Sequence, residues 1–522
     1  MPNYDQTIEE GEWTVKRAEI VYSKNFKIDE VDRRMYGSFV EHLGRCVYGG
    51  IYQPEHPEAD AAGFRNDVKE LIRELGVTAI RYPGGNFVSG YDWKDGVGPK
   101  EGRPVRKELA WNVLESNEVG TNEFAQFARE CNTEVIMAVN LGTGTPKEAA
   151  QLVEYCNTQE GTAWSDMRRS HGVEQAYGFK TWCLGNEMDG EWQIQMLKAD
   201  EYARKAKEAA KMMRWTDPSI ELIACGTCTN EIGHTSFGDW DLAVLEECYD
   251  QIDYLSLHRY YNYNPNKQLF YPMHDDESDI PFFFRDLRDF MDTIISACDF
   301  VKGKRRSGKK IHLSFDEWGV VTDTGAVPGG VAQKYEYASF KLLDAVIYGG
   351  LLCTFLNYAD RVKIACQSLL VNEGGMITTD PGGKAIRQAT FYPFQDVARY
   401  GRGTALRGSG SMPVRRTNHH GEQETVTTAC VYNEENRELT VFAMNCDPEE
   451  DLELSIEFQA FGALQGIGFR ELYHDDPYAR NTFEEEDRVV PFEREIPDCV
   501  DNRLHIVLKK HSWNVLRFQE KV

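Results

Sequence analysis

The chain has 522 residues, of which 41% are hydrophobic and 27% charged, and its formal net charge is −26. That length exceeds one ordinary domain, and the apolar fraction is enough for a packed core. Such acidity opposes phosphate backbones and anionic lipid surfaces, so nucleic-acid and membrane partners are set aside.

The opening segment "MPNYDQTIEEGEWTVKRAEI" has no basic and apolar leader, and no run of about 18 apolar residues follows, so neither export nor membrane insertion is expected. The 13 cysteines are odd in number, and several lie inside apolar runs such as "TWCLGNE" and "LLCTFLNY". This usage suits reduced thiols packed as small hydrophobes in a cytoplasmic protein. The pair in "CGTC", Cys225 and Cys228, has no second pair at metal spacing and reads as strand-end core.

In chain order, residues 1–11 carry no pattern and read as an N-terminal extension. Residues 12–30 hold the alternating segment "EWTVKRAEIVYS", expected to be a strand that joins a later sheet. From 31 to 400, short apolar runs alternate with amphipathic helical segments, the pattern of a parallel α/β fold. The predicted strands are Met35 to Glu41, Val77 to Gly84, Glu134 to Asn140, Thr181 to Glu187, Glu221 to Thr227, Asp253 to Tyr260, Ile311 to Glu317 and Leu351 to Tyr358. In "FRNDVKELIRELG", Phe64, Val68, Leu71 and Leu75 share one helical face and Gly76 supplies the stop. Eight parallel strands are best closed into a (β/α)8 TIM barrel, because closure removes the edges that the rival open sheet would leave. Residues 401–522 change to short alternating runs such as "TVTTACVYN" and "ELTVFAMN", the texture of a β-sandwich.

A barrel places its active site at the C-terminal ends of the strands. The polar residues expected there are Glu41, Asn86, Asn140, Asn186, Glu187, His258, Tyr260, Glu317, Trp318 and Asn357. Glu187 and Glu317 close the fourth and seventh strands, so both project into one mouth from different parts of the ring. Two facing carboxyl groups are what glycoside hydrolysis needs: one protonated to assist the leaving oxygen, one ionised to attack or to activate water. The aromatic "LHRYYNY" beside polar donors suits a sugar, with its C–H faces and hydroxyl rim. No cofactor is required for this chemistry, and His258 stands outside any recognisable metal-binding motif. "GTGTP" lacks the Lys-Ser/Thr of a phosphate loop and reads as a barrel loop.

The motifs "YGSFVEHLGRCVYGGIY", "RYPGGNFVSGYDWKDGVGP", "AVNLGTGTP", "WCLGNEMDG", "LSLHRYY", "SFDEWGVV", "LVNEGGMITTDPGG" and "RQATFYPF" occur in that order. Through them the chain resembles the α-L-arabinofuranosidases of glycoside hydrolase family 51. The resemblance implies a (β/α)8 barrel with a jelly-roll-like β-sandwich that takes in the N-terminal strand. It also implies a retaining exo-enzyme, which removes terminal non-reducing α-L-arabinofuranosyl residues from arabinoxylan- or arabinan-derived oligosaccharides by double displacement. On the matching positions Glu187 would be the acid/base and Glu317 the nucleophile, with Asn186 a ligand of the sugar O2. Glu41, Asn86, His258 and Tyr260 would bind the sugar and shape its pocket, Tyr260 orienting the nucleophile, and Trp318 would be a pocket wall. Self-association is implied too, commonly as a hexamer. Departures from the family pattern fall at Gly319 and at Glu373 to Gly375. The alternatives are a β-xylosidase or an endo-acting glucanase or xylanase on the same scaffold, and a non-catalytic carbohydrate-binding protein.

Overall fold

The computed structural model describes residues 16–230, 237–263, 276–321 and 339–521. The expected extension, residues 1–11, lies outside them. Strand β1 (Lys16–Glu30) precedes eight strands that close a parallel barrel: β2 (Gly37–Phe39), β3 (Ala79–Tyr82), β4 (Glu134–Val139), β5 (Thr181–Leu184), β6 (Glu221–Cys225), β7 (Tyr254–Tyr261), β8 (His312–Val320) and β9 (Val362–Gln367). Neighbours in the ring are neighbours in sequence, with β9 returning to β2. Amphipathic helices cover the outside as the periodicity predicts. The helix Asn66–Leu75 buries Val68, Leu71, Ile72 and Leu75, and Gly76 ends it at φ 83°, its N–H donating to the carbonyl of Ile72.

The eighth strand corrects the sequence reading. "LLCTFLNY" belongs to a helix, Leu342–Leu356, and the eighth strand is β9, a few residues later. Every residue of that helix is buried, so no polar face marks its period, and an apolar run without a polar face reads equally as a buried strand. The helix lies between the barrel and the C-terminal sheet. Its Phe355 touches Phe315 of β8, while a Cβ on its Gly349 would run into the Trp513 ring of the sheet. Asn357, expected at the barrel mouth, instead caps this helix and donates from Nδ2 to the carbonyl of Thr428, 2.8 Å away.

The strands of the C-terminal sheet are β10 (Thr404–Ser411), β11 (Val426–Asn433), β12 (Glu438–Asn445), β13 (Leu452–Gln459), β14 (Leu464–Leu472), β15 (Phe492–Arg494), β16 (Arg503–Leu508) and β17 (Ser512–Glu520). With β1 they make one nine-stranded sheet in the order β15-β14-β17-β12-β11-β10-β1-β13-β16. The N-terminal strand thus enters this sheet as expected, antiparallel to β10 and parallel to β13. Phe458 of β13 and Phe518 of β17 stand five places apart in that order, yet their ring centroids are 5.1 Å apart. In a flat sheet the separation would be about 24 Å. The sheet therefore rolls into two layers around a core that includes Tyr22, Leu406, Val441, Leu454 and Phe518.

All 13 cysteines are free thiols and 12 are buried, Cys225 and Cys228 among them. Among the described residues no helix is long and apolar enough to cross a membrane.

Candidate active site

Glu187 stands just beyond β5 rather than on it. The strand ends at Leu184 because Gly185 turns to φ 94°, and Glu187 itself adopts φ 44°. A left-handed backbone at a non-glycine residue costs on the order of 1 kcal/mol or more and persists only where its surroundings hold it. Here the turn is closed by the Gly190 N–H on the Glu187 carbonyl at 2.8 Å. The side chain is held at both oxygens, Oε1 lying 2.9 Å from His258 Nδ1 and Oε2 accepting the indole N–H of Trp192 at 2.6 Å.

Glu317 owes its direction to an irregularity in β8. The register with β7 slips between Ser314 and Glu317, and that with β9 between Phe315 and Trp318. The slip breaks the strand's alternation, so Asp316 and Glu317 both point into the barrel while Phe315 and Trp318 point outward onto Phe355. Trp318 is 1% exposed and packs on Tyr348 and Phe355 of the helix Leu342–Leu356. This corrects its expected place as a pocket wall.

Arg81 of β3 ties the floor together. Its Nη1 donates to Glu317 Oε1 at 2.8 Å, its Nη2 to Asn186 Oδ1 at 2.6 Å, and its Nε lies 3.2 Å from Asp316 Oδ2. The Tyr260 hydroxyl lies 2.7 Å from both Glu317 Oε2 and Ser368 Oγ. With one proton to give, it donates to the carboxylate and accepts from the serine. His258, paired in register with Glu317, sits between the acids: Nδ1 is 2.9 Å from Glu187 and 3.6 Å from Glu317, and Nε2 is 3.7 Å from Asp316. One oxygen of Glu187 and one of Glu317 lie within 4.8 Å of each other.

The charges follow from burial and pairing. Burial opposes ionisation of Asp316, but Arg81, His258 and the Ser256 hydroxyl outweigh it and bring its pKa down to about 2. Burial likewise opposes a charged His258, yet Glu317, Asp316 and Glu187 raise it to about 10. Glu187 moves the other way. Burial lifts its pKa, Glu317's charge adds to that, and the hydrogen bonds from His258 and Trp192 pull back. Because Glu187 and His258 are in contact, their protons belong to the pair. Glu187, His258 and Glu317 thus bring one ligand-type atom each within 4.8 Å of one another, a spacing that equally suits proton exchange among them.

The other expected residues surround this floor. Glu41 is buried beside it, its Oε1 accepting the Phe87 N–H and the Trp111 indole N–H at 2.9 Å each. Burial first, then Glu317's charge, lift Glu41 to about 8 against the pull of those two donors. Asn86, on the short helix Gly85–Val88, lies 3.4 Å from the Asn186 amide. Asn140 is spent on its own loop, donating to the Tyr91 carbonyl and accepting from the Gly144 N–H. Sequence reasoning missed Arg81, Trp111, Trp192 and Ser368. Arg81 had a signal, a cation inside the apolar strand "AIRYPG" that burial obliges to find anions. The other three sit on loops, where no periodicity points to them.

A ring of parallel strands presenting two buried carboxyl groups to each other, within a mouth of hydrogen-bonding and aromatic side chains, defines a glycoside hydrolase. Residues 71–279 match the family model described as the α-L-arabinofuranosidase 1 domain, and residues 316–512 the α-L-arabinofuranosidase C-terminal domain. The chain is 47% identical to an intracellular exo-α-(1→5)-L-arabinofuranosidase of Bacillus subtilis, over 97% of this chain and 100% of that one. It is 39% identical to an exo-α-(1→6)-L-arabinofuranosidase of Bifidobacterium longum, over 96% of this chain and 97% of that one. Its fold is similar to a solved family 51 α-L-arabinofuranosidase from Bifidobacterium longum, with a TM-score of 0.90 and 37% identity over 97% of this chain and 100% of that one. The chain belongs to the α-L-arabinofuranosidases of glycoside hydrolase family 51.

Proposed function

We propose that the protein is a retaining exo-α-L-arabinofuranosidase in which Glu317 is the nucleophile and Glu187 the acid/base. The observation that carries this is that the two buried carboxyl groups face each other with their nearest oxygens within 4.8 Å, a gap that favours the shorter of the two spacings such pairs adopt. Retaining pairs stand about 5–5.5 Å apart, whereas inverting pairs need about 6.5–9.5 Å to admit a water. Glu317 attacks the anomeric carbon while Glu187 gives its proton to the departing glycosidic oxygen. The glycosyl ester that forms removes the charge of Glu317, one of the causes that raise Glu187. The pKa of Glu187 then falls, and it takes a proton from the water that cleaves the ester.

Asn186 supports the same reading. Arg81 donates to its Oδ1, which fixes the amide so that the NH2 end is left as a donor, the polarity a sugar O2 requires. Glu41, Asn86, His258 and Tyr260 are the remaining contacts we assign to the sugar or to the pocket that holds it. The substrates are arabinose-containing oligosaccharides. The named relatives act on different linkages, so the linkage is left open. Relatives named intracellular support a cytoplasmic location, and we include homo-oligomerisation in the proposal. Following aryl α-L-arabinofuranoside hydrolysis by proton NMR tests the mechanism. The α-anomer of arabinose appears first under retention, and a β-anomer appearing first would sink it.

A further inference from the structure

A two-stranded hairpin, Arg106–Glu108 paired with Val113–Glu115, rises beside the mouth and carries Trp111 in its turn. It has almost no apolar footing: Val105, Leu109 and Leu114 are 64%, 69% and 72% exposed. On each of its strands the one buried residue is a glutamate. Glu108 shapes the turn, accepting the N–H groups of Ala110 and Trp111 at 2.7 Å each. Glu115 holds the base. Its Oε2 lies 2.9 Å from His42 Nδ1, and its Oε1 accepts the Tyr48 hydroxyl at 2.5 Å and the Asn117 N–H at 2.7 Å.

His42 is itself fixed on every side. Its Nε2 is 3.0 Å from the Tyr82 hydroxyl, and its ring stacks on Phe87 with centroids 4.4 Å apart and planes 12° from parallel. Phe87 and Trp111 both donate to the same oxygen of Glu41, the residue before His42. The contacts therefore close a loop, from Glu41 through Trp111, the hairpin, Glu115, His42 and Phe87 back to Glu41. The hairpin's other charged tie, Arg106 to Asp95 at 2.7 Å, is exposed on the arginine side and screened by solvent. A buried, charge-assisted bond is the stronger and more directional tie.

We propose that His42 and Glu115 are positioning residues, which set the hairpin over the sugar pocket and thereby fix where the Trp111 indole stands beside Glu41. This deepens the proposed function and rests on Glu41 bordering the sugar. If the pair served only stability, its loss would lower the melting temperature and leave KM where it was.

The test is a mutant cycle on aryl α-L-arabinofuranoside, using Glu115→Gln, His42→Asn, Trp111→Phe and the double variant Trp111→Phe with Glu115→Gln. Each single change is expected to raise KM about tenfold with kcat within about threefold, as for one lost ground-state contact. The double variant is expected to match Trp111→Phe alone, because both changes remove the same contact. Three results overturn the proposal: KM values that multiply in the double variant, an unchanged KM in folded Glu115→Gln and His42→Asn, or failure of both variants to fold. Failure of the unmodified protein to cleave the aryl arabinofuranoside is a different outcome, which strikes the proposed function itself.

Discussion

The floor of the barrel mouth and the barrel–sheet interface are both buried, and they are built from opposite materials. The floor gathers Arg81, Glu187, His258, Asp316 and Glu317, none more than 7% exposed. The helix Leu342–Leu356 at the interface is buried on every residue and carries one charged side chain, Asp344, which caps the helix's own first turn through the Lys341 N–H. Buried charges bear a desolvation cost that pairing at best offsets, whereas buried apolar surface stabilises outright. The contrast teaches that the mouth is arranged for chemistry and the interface for stability.

That division can be broken experimentally, and the largest effect is expected at the floor. Glu317→Ala should lower kcat on every substrate by roughly 10⁴-fold or more, with a melting temperature close to that of the unmodified protein. Glu187→Ala should lose roughly 10²–10⁴-fold on oligosaccharides but far less on aryl arabinofuranosides whose leaving group needs no proton. Equal losses on both substrate types would show that the acid is elsewhere. At the interface the signs reverse. Trp513 stacks on Phe442, donates to Asp396 at 3.1 Å and abuts Gly349 of the interface helix. Trp513→Ala should cost about 3–5 kcal/mol in denaturant unfolding and leave kcat per folded molecule unchanged. A tenfold fall in that kcat would mean that the two regions are coupled.

The smallest effect sharpens the electrostatics. His258 is a cation that holds the Glu187 pKa below the level set by burial and by Glu317's charge. His258→Asn removes that pull, so the alkaline limb of kcat/KM, where Glu187 loses its proton, should move to higher pH. A limb that stays put or moves down would show that another group governs it.

Much of this was legible in the chain. Seven of the eight barrel strands, the N-terminal strand's entry into the C-terminal sheet and the arrival of Glu187 and Glu317 at one mouth all followed from apolar runs and from what ends them. The eighth strand was lost to a helix with no polar face. A helix buried against the barrel on one side and a sheet on the other shows no period to read. Trp318 failed for a related reason. It follows Glu317 at the strand's end and is expected at the mouth with it, but once the register slip in β8 puts Asp316 and Glu317 on one face, alternation turns Trp318 outward.

By itself, then, the sequence determined the class of fold, the family and the arrival of Glu187 and Glu317 at one mouth, because these rest on local composition, spacing and motif order. Tertiary structure alone decided the separation of the carboxyl groups, the role of Arg81 in joining Glu317, Asn186 and Asp316, and the carboxylate-held hairpin that brings Trp111 to Glu41. Those are relations between residues tens to hundreds of positions apart. Their energies depend on burial and on distances of a few ångströms, quantities that exist only once the barrel has closed.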